Sequence, residues 1–148
     1  MPPFDNRTIF GSEAFSSAHA LIREAESVVL ALPVYNWSVG SAAKNLIEAT
    51  GATGDDGRKA AWFDKLVTLL CAGGLPHSYM AYGALAMSVM LDFKCVVNPY
   101  VVYATERDWD DTGLLSSRLG ARLRKTMEVH SELNNSLRGQ LYSSDWEI

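Results

Sequence analysis

The chain has 148 residues, 48% hydrophobic and 20% charged, with a formal net charge of -4 and a pI near 5.3, values of an ordinary globular domain rather than of a disordered or fibrous chain. A net negative charge removes any general attraction for nucleic acid or anionic lipid. The longest apolar stretch, Met80 to Leu91, is broken by Gly83 and Ser88 and is too short to span a bilayer, and the start of the chain lacks a basic segment followed by an apolar one. The expectation is one cytoplasmic domain over residues 1–148, with no nucleic-acid and no membrane partner.

In chain order, Met1 to Gly11 is turn-rich, and Ser12 caps a helix to about Glu26 with Phe15, Ala18, Leu21, Ile22 and Ala25 on one face. Val28 to Leu32 is a strand without polar alternation, the pattern of a parallel strand covered on both faces. The loop Pro33-Val34-Tyr35-Asn36-Trp37-Ser38 follows. Ser41 then caps a helix with Ala43, Leu46, Ile47 and Thr50 inward, Lys44 and Glu48 in water and Gly51 as a left-handed stop. Ala52 to Gly57 reads as a flexible loop.

Leu66 to Ala72 is a second apolar strand, ending in Gly73-Gly74-Leu75-Pro76-His77-Ser78 before a helix from Tyr79 to about Phe93. That helix is apolar nearly all round, which predicts burial against another subunit and hence a homo-oligomer. Cys95 to Thr105 is a third strand. Thr112 to Leu137 is a long helix with Leu115, Leu119, Leu123, Met127 and His130 on one face, and Arg118, Arg122, Arg124 and Lys125 on a solvated surface. Alternating helices and apolar strands imply an α/β fold with a parallel sheet, although only three strands are visible where about five are usual.

Ligands of such sheets bind beyond the carboxyl ends of strands. Two aromatics and an amide in Pro33–Ser38 suit a flat aromatic ligand, and Gly73-Gly74 would let the main chain approach it. The glycine pair equally suits a plain strand-to-helix turn. Cys71 and Cys95, the only cysteines, read as buried free thiols inside strands. His19, His77 and His130 have no metal-ligand spacing and no G-x-S-x-G occurs, so neither a metal site nor a serine nucleophile is expected.

The stretch Ala31 to Ile47, A-L-P-V-Y-N-W-S-V-G-S-A-A-K-N-L-I, resembles the signature of the NAD(P)H-dependent FMN reductases of flavodoxin-like fold, (T/L)-P-x-Y-N-x-S-x-x-x-x-L-K-N-x-I. Cys71-Ala72-Gly73-Gly74, followed by a Ser-Tyr-Met helix, resembles that family's second flavin loop. The two motifs and their spacing cover Met1 to Tyr103; the chain departs at Ala42, where leucine is usual, and at Trp37, where small residues are common.

The resemblance implies a flavodoxin-like three-layer sandwich with a parallel sheet, and FMN and NAD(P)H as cofactors. Pro33, Val34, Tyr35, Asn36 and Trp37 would line the isoalloxazine, with the backbone of Ala72, Gly73 and Gly74 at its pyrimidine side. It implies a flavin-dependent NAD(P)H oxidoreductase that passes hydride from nicotinamide to FMN and on to free flavin, a quinone or a similar small acceptor. A non-catalytic oligomerisation or binding subunit built from the same half-sheet is the alternative. No catalytic residue is expected, because hydride transfer to flavin rests on stacking and orientation; Tyr35, Tyr79 and His77 are the nearest candidates to help a substrate bind. The family's first strand, Ser/Arg-rich phosphate loop, first helix and second strand have no counterpart, about a quarter to a third of the domain, so the expectation is an N-terminally truncated member with Val28–Leu32 as an apolar sheet edge. An internal methionine taken as the start, a second chain completing the sheet, or loss of the flavin would each account for it.

Overall fold

The computed structural model describes residues 1–54, 57–139 and 144. Ser12 caps α1 (Glu13–Glu24), its hydroxyl accepting from the Phe15 N–H at 3.2 Å. Phe15 and Ile22 are buried while Leu21 is 72% exposed, so the buried face is narrower than the periodicity predicts. β1 (Ser27–Tyr35) extends past the expected end at Leu32 and takes in Pro33, Val34 and Tyr35. A short β2 (Ser38–Val39) folds back on it, pairing Val34 with Val39 and Tyr35 with Ser38. What the sequence reads as a loop is therefore strand, turn and strand.

α2 (Ser41–Gly51) is capped by Gly40 rather than Ser41, and Gly51 lies inside the helix instead of stopping it. A Cβ at Gly51 would run into the Phe93 ring; glycine is there to admit an aromatic side chain. β3 (Leu66–Ala72) has the bounds predicted. The helix expected from Tyr79 is a 3₁₀ segment, Pro76–Tyr82, followed by α3 (Gly83–Phe93). The third strand is two pieces, β4 (Val96–Val97) and β5 (Val102–Ala104), and Cys95 lies outside both. α4 (Ser117–Leu137) starts at its Ser116 cap and not at Thr112, because the Asp110 carboxylate takes the Thr112 and Leu114 N–H groups, each at 2.9 Å, into a turn. Asp55 and Asp56 of the expected flexible loop lie outside the described residues.

The sheet runs β2-β1-β3-β4, with β5 also on β3. β1 and β3 are parallel from Ser27↔Leu66 to Pro33↔Ala72, and β4 and β5 pair in parallel with the start and the end of β3. On one face Leu30, Leu32, Val34, Val67, Leu69 and Cys71 meet Ile22, Ile47, Leu85, Val89 and Phe93 around the fully buried Trp62. The indole N–H of Trp62 donates to Thr50 Oγ1 at 2.7 Å. On the other face α4 lays Leu119 and Leu123 on Leu70, Val102 and Ala104. The result is the three-layer α/β arrangement expected.

Coverage of β1 on both faces is not observed. Leu30, Leu32 and Val34 are buried, whereas Val29, Ala31, Pro33 and Tyr35, the alternate residues, are exposed. Its outer edge from Ser27 to Leu32 has no partner strand among the described residues, which agrees with the expected apolar edge.

The gap between β4 and β5 has a polar cause. Asn98 is fully buried; its amide donates to Thr68 Oγ1 at 3.0 Å and to the Thr126 carbonyl at 3.1 Å, and its Oδ1 accepts from the Tyr100 N–H at 2.9 Å. His130 of α4 joins the same network, with Nδ1 2.9 Å from Thr68 Oγ1 and Nε2 3.0 Å from Ser27 Oγ. The basic run of α4 is only partly solvated: Arg118 pairs with the buried Asp108, and Arg122 donates to the Val101 carbonyl and lies over the Tyr100 ring.

Burial holds the His130 pKa below its ordinary value. The folded chain thus binds this proton less tightly than the unfolded one, so His130 contributes stability that is fully present above about pH 6.5 and declines as pH falls from there toward the folded value. Thermal melts between pH 8 and pH 5 should show that decline, and His130→Gln should flatten it; an unchanged profile in the variant would assign the pH dependence elsewhere.

Candidate functional site

The carboxyl ends of β1 and β3 lie side by side because Pro33 is paired with Ala72 at the top of the parallel ladder. Beyond Tyr35 the chain reverses through Asn36 and Trp37, with φ of 48° and 64°. Positive φ at both central residues of a two-residue hairpin is the type I′ pattern that matches strand twist. Asparagine tolerates it; tryptophan is unusual there. The hairpin closes by the Gly40 N–H donating to the Pro33 carbonyl at 2.9 Å, and a Cβ at Gly40 would press on the Pro33 ring at 2.9 Å.

The second loop leaves β3 at Ala72. Gly73 donates its N–H to the Ala104 carbonyl at 2.9 Å, and Tyr103 from β5 reaches across it to donate its hydroxyl to the Leu75 carbonyl at 2.8 Å. A Cβ at Gly73 would collide with that hydroxyl and stand 3.3 Å from Val34 Cβ. Gly73 is therefore a spacer under a clasp, a structural role added to that of a strand-to-helix turn.

Between the loops lies a cleft of about 470 Å³ lined by Val34, Tyr35, Asn36, Trp37, Gly74, Leu75, Ser78 and Tyr103. The structure thus brings Val34, Tyr35, Asn36, Trp37 and Gly74 together. It does not bring Pro33 and Ala72 there: both line an apolar groove under α4 on the other sheet face. Gly73 has its amide committed to the Ala104 carbonyl, and Gly74 is the glycine of the pair that lines the cleft. Leu75, Ser78 and Tyr103 were not singled out from the sequence; for Tyr103 a signal existed, since strand alternation sets it opposite the buried Val102 and Ala104.

His77 lies against Trp37, ring centroids 5.3 Å apart, and does not line the cleft. Tyr79 is exposed outside it. The lining contains no charged side chain, and an acidic group stands near it: Glu106 Oε1 is 3.9 Å from where a Cβ on Gly74 would be. Burial pushes the Cys71 thiol up to about 11 and the Cys95 thiol up to about 12, so both are inert at neutral pH, as expected of buried thiols. Among the described residues no group of His, Cys, Asp or Glu could hold a metal ion, and no helix is long and apolar enough to cross a membrane.

A match to the family described as NADPH-dependent FMN reductase spans residues 2–110. The chain belongs to that family. No curated protein matches it. Among solved structures it is similar to FerB, a flavoenzyme NAD(P)H:(acceptor) oxidoreductase from Paracoccus denitrificans, at 16% identity and a TM-score of 0.67, covering 88% of this chain and 72% of FerB. It is similar to an oxidoreductase from Corynebacterium diphtheriae at 14% identity and a TM-score of 0.67, covering 84% of this chain and 64% of that one. It is also similar to the NADH:FMN oxidoreductase EMOB at 15% identity and a TM-score of 0.63, covering 90% and 63%. The chain spans about two thirds of the length of these structures, which share its flavodoxin-like fold.

The cleft fits the ring of a flavin. It is walled by aromatic and apolar side chains, counts Asn36 and Ser78 as its polar side chains, and lies where α/β sheets hold ligands. Its lining supplies no cation for a phosphate. The reductase signature Lys44-Asn45 stays outside: Lys44 pairs with Glu48 at 3.5 Å, and Asn45 holds the Pro2 carbonyl and the Phe4 N–H.

Removing the clasp tests the spacer role. Tyr103→Phe should destabilise by about 1 kcal/mol, the usual net value of one hydrogen bond. Gly73→Ala should cost about 1–3 kcal/mol by overpacking, and less in the Tyr103→Phe background, where the colliding hydroxyl is gone. Denaturant melts of the four proteins measure the coupling; additive costs would mean that the collision is relieved elsewhere.

Proposed function

We propose that this chain is a flavin-dependent NAD(P)H oxidoreductase with the isoalloxazine in the cleft between the Tyr35–Trp37 hairpin and the Gly74–Leu75 loop. The observation that carries the reading is the convergence of both reductase motifs on one uncharged, aromatic-walled cleft at the carboxyl ends of β1 and β3. Bound there, the flavin would take hydride from a reduced nicotinamide and pass electrons to free flavin, a quinone or a similar small acceptor.

The chain's own part is positional. Tyr35, exposed at the strand end, offers a ring face for stacking. Asn36 offers an amide, and Gly74, without a side chain, lets the main chain come close to the ring. Val34, Leu75 and Tyr103 exclude water from the ring, which strengthens those polar contacts. Pro33, Ala72 and Gly73 act from behind, by closing the hairpin, continuing the ladder and spacing the clasp. No side chain of the cleft is required to move a proton, because the bound cofactor carries the chemistry.

FMN titration of the purified protein tests the placement. Tyr35→Ala should weaken binding about tenfold and Asn36→Ala by a similar factor, while His130→Ala, at the opposite end of the strands, should not. Since the lining lacks a cation, riboflavin should bind about as well as FMN. Anaerobic bleaching of the bound flavin by NADH or NADPH is expected; a flavin-free protein that oxidises neither would favour the binding or assembly role instead.

The same reading includes a homo-oligomer. Met80, Met87 and Leu91 are 57%, 57% and 58% exposed, alongside Leu75 and Tyr79 next to the cleft, and a patch of large apolar side chains marks a contact surface. Sedimentation at micromolar concentration should give more than one copy, and Met87→Glu with Leu91→Glu should return the monomer; a wild-type monomer would exclude the contact.

A further inference from the structure

A cavity of about 230 Å³ lies at the amino ends of β1 and β3, where Glu26 precedes the first strand and Asp64-Lys65 the second. The seven residues of β3 set it about 20 Å from the cleft at their carboxyl ends. Phe63, Leu66 and Leu137 give it apolar walls. Most of its polar groups serve the fold. Glu26 pairs with Arg138 at 2.8 Å, Lys65, only 9% exposed, donates to the Arg23 and Ala25 carbonyls at the end of α1, and Asp64 Oδ2 accepts from the Ser144 N–H at 2.8 Å.

Two hydrogen-bonding positions are left over. Asp64 Oδ1 is buried with no partner among the described residues, a state that costs free energy until a donor reaches it. An ammonium carries three N–H groups, and the third of Lys65 meets no acceptor among the described residues. An acceptor and a donor therefore stand on consecutive residues lining one cavity. The charges are matched in pairs, Glu26 with Arg138 and Asp64 beside Lys65, while Arg23 is exposed and keeps its charge in water. A ligand of net charge would upset that match.

We propose that this cavity binds a small neutral ring with an N–H next to a carbonyl, a cyclic amide or imide. The ring N–H donates to Asp64 Oδ1, its carbonyl accepts from Lys65 Nζ, and its faces lie against Phe63, Leu66 and Leu137. The volume falls below the roughly 300–1,000 Å³ of pockets for drug-sized ligands, so it takes a single ring and not the three fused rings of a flavin. The site is separate from the cleft, and its reading does not rest on the flavin.

Uracil is the probe, and 1,3-dimethyluracil, which keeps the ring and both carbonyls but has no N–H, is the control. Titration of the full chain by NMR should show saturable uracil binding, about tenfold or more weaker for the dimethyl compound, with amide shifts at Asp64–Leu66 and none at Tyr35–Trp37. Asp64→Asn keeps an oxygen for Ser144 and tolerates the φ of 62° at this position. It should melt like the wild type and bind uracil about tenfold more weakly. No saturable uracil binding, equal binding of the two compounds, shifts confined to the cleft, or an Asp64→Asn variant that binds like the wild type each overturns the proposal. If Asp64→Asn melts lower, the two compounds compared on the wild type still decide.

Discussion

The parallel ladder between β1 and β3 is the constraint on which the rest depends. Its last rung, Pro33 on Ala72, fixes where both chains leave the sheet, so the hairpin and the glycine loop emerge as neighbours, separated by one strand spacing. Because β5 joins β3 only over Leu70 to Ala72, its Tyr103 arrives level with the exit of the second loop and can clasp it. Shift the register by one residue and Tyr103 would point to the other face of the sheet; the hydroxyl would lose Leu75, and Gly73 would have nothing to make room for.

This constraint leaves in the cleft three aromatic rings, two aliphatic side chains, the Asn36 amide, the Ser78 hydroxyl, Gly74 and no charge. Such a lining binds by stacking and shape, and it sets the chain apart from sites that place acids or bases beside a substrate. Glu106, from the 3₁₀ turn after β5, brings a carboxylate to the Gly74 side of the cleft, and a negative charge beside a ring that gains electrons would disfavour its reduced form.

Much of this was legible in the residues. The apolar run Leu66–Ala72 has the bounds of β3 because a fully flanked strand needs no polar alternation, and Ser12 caps α1 as its hydroxyl suggests. Pro33 was misread as a strand end: proline lacks the N–H of a ladder, but on an edge strand none is required there. The hairpin was hidden by Trp37, a residue that turn chemistry does not favour. Asn98 breaks the third strand through partners thirty residues away in the chain, on β3 and α4, and Gly51 serves Phe93 from another helix; neither relation has a local signature. The cleft motifs were found by resemblance, yet Leu75, Ser78 and Tyr103 reach it only through tertiary packing.

The outer edge of β1 carries a kinetic consequence. From Ser27 to Leu32 it presents main-chain groups toward solvent, and its exposed face is Val29, Ala31 and Pro33, so an extended segment arriving during synthesis finds a ready template. The upper part is shut to such growth: β2 already occupies Val34 and Tyr35, and Pro33 has no hydrogen to give. Additions are therefore confined to Ser27–Leu32, the part of the strand away from the cleft. The hairpin that builds one wall of the cleft thereby doubles as a stop that keeps any added strand from growing across the cleft mouth.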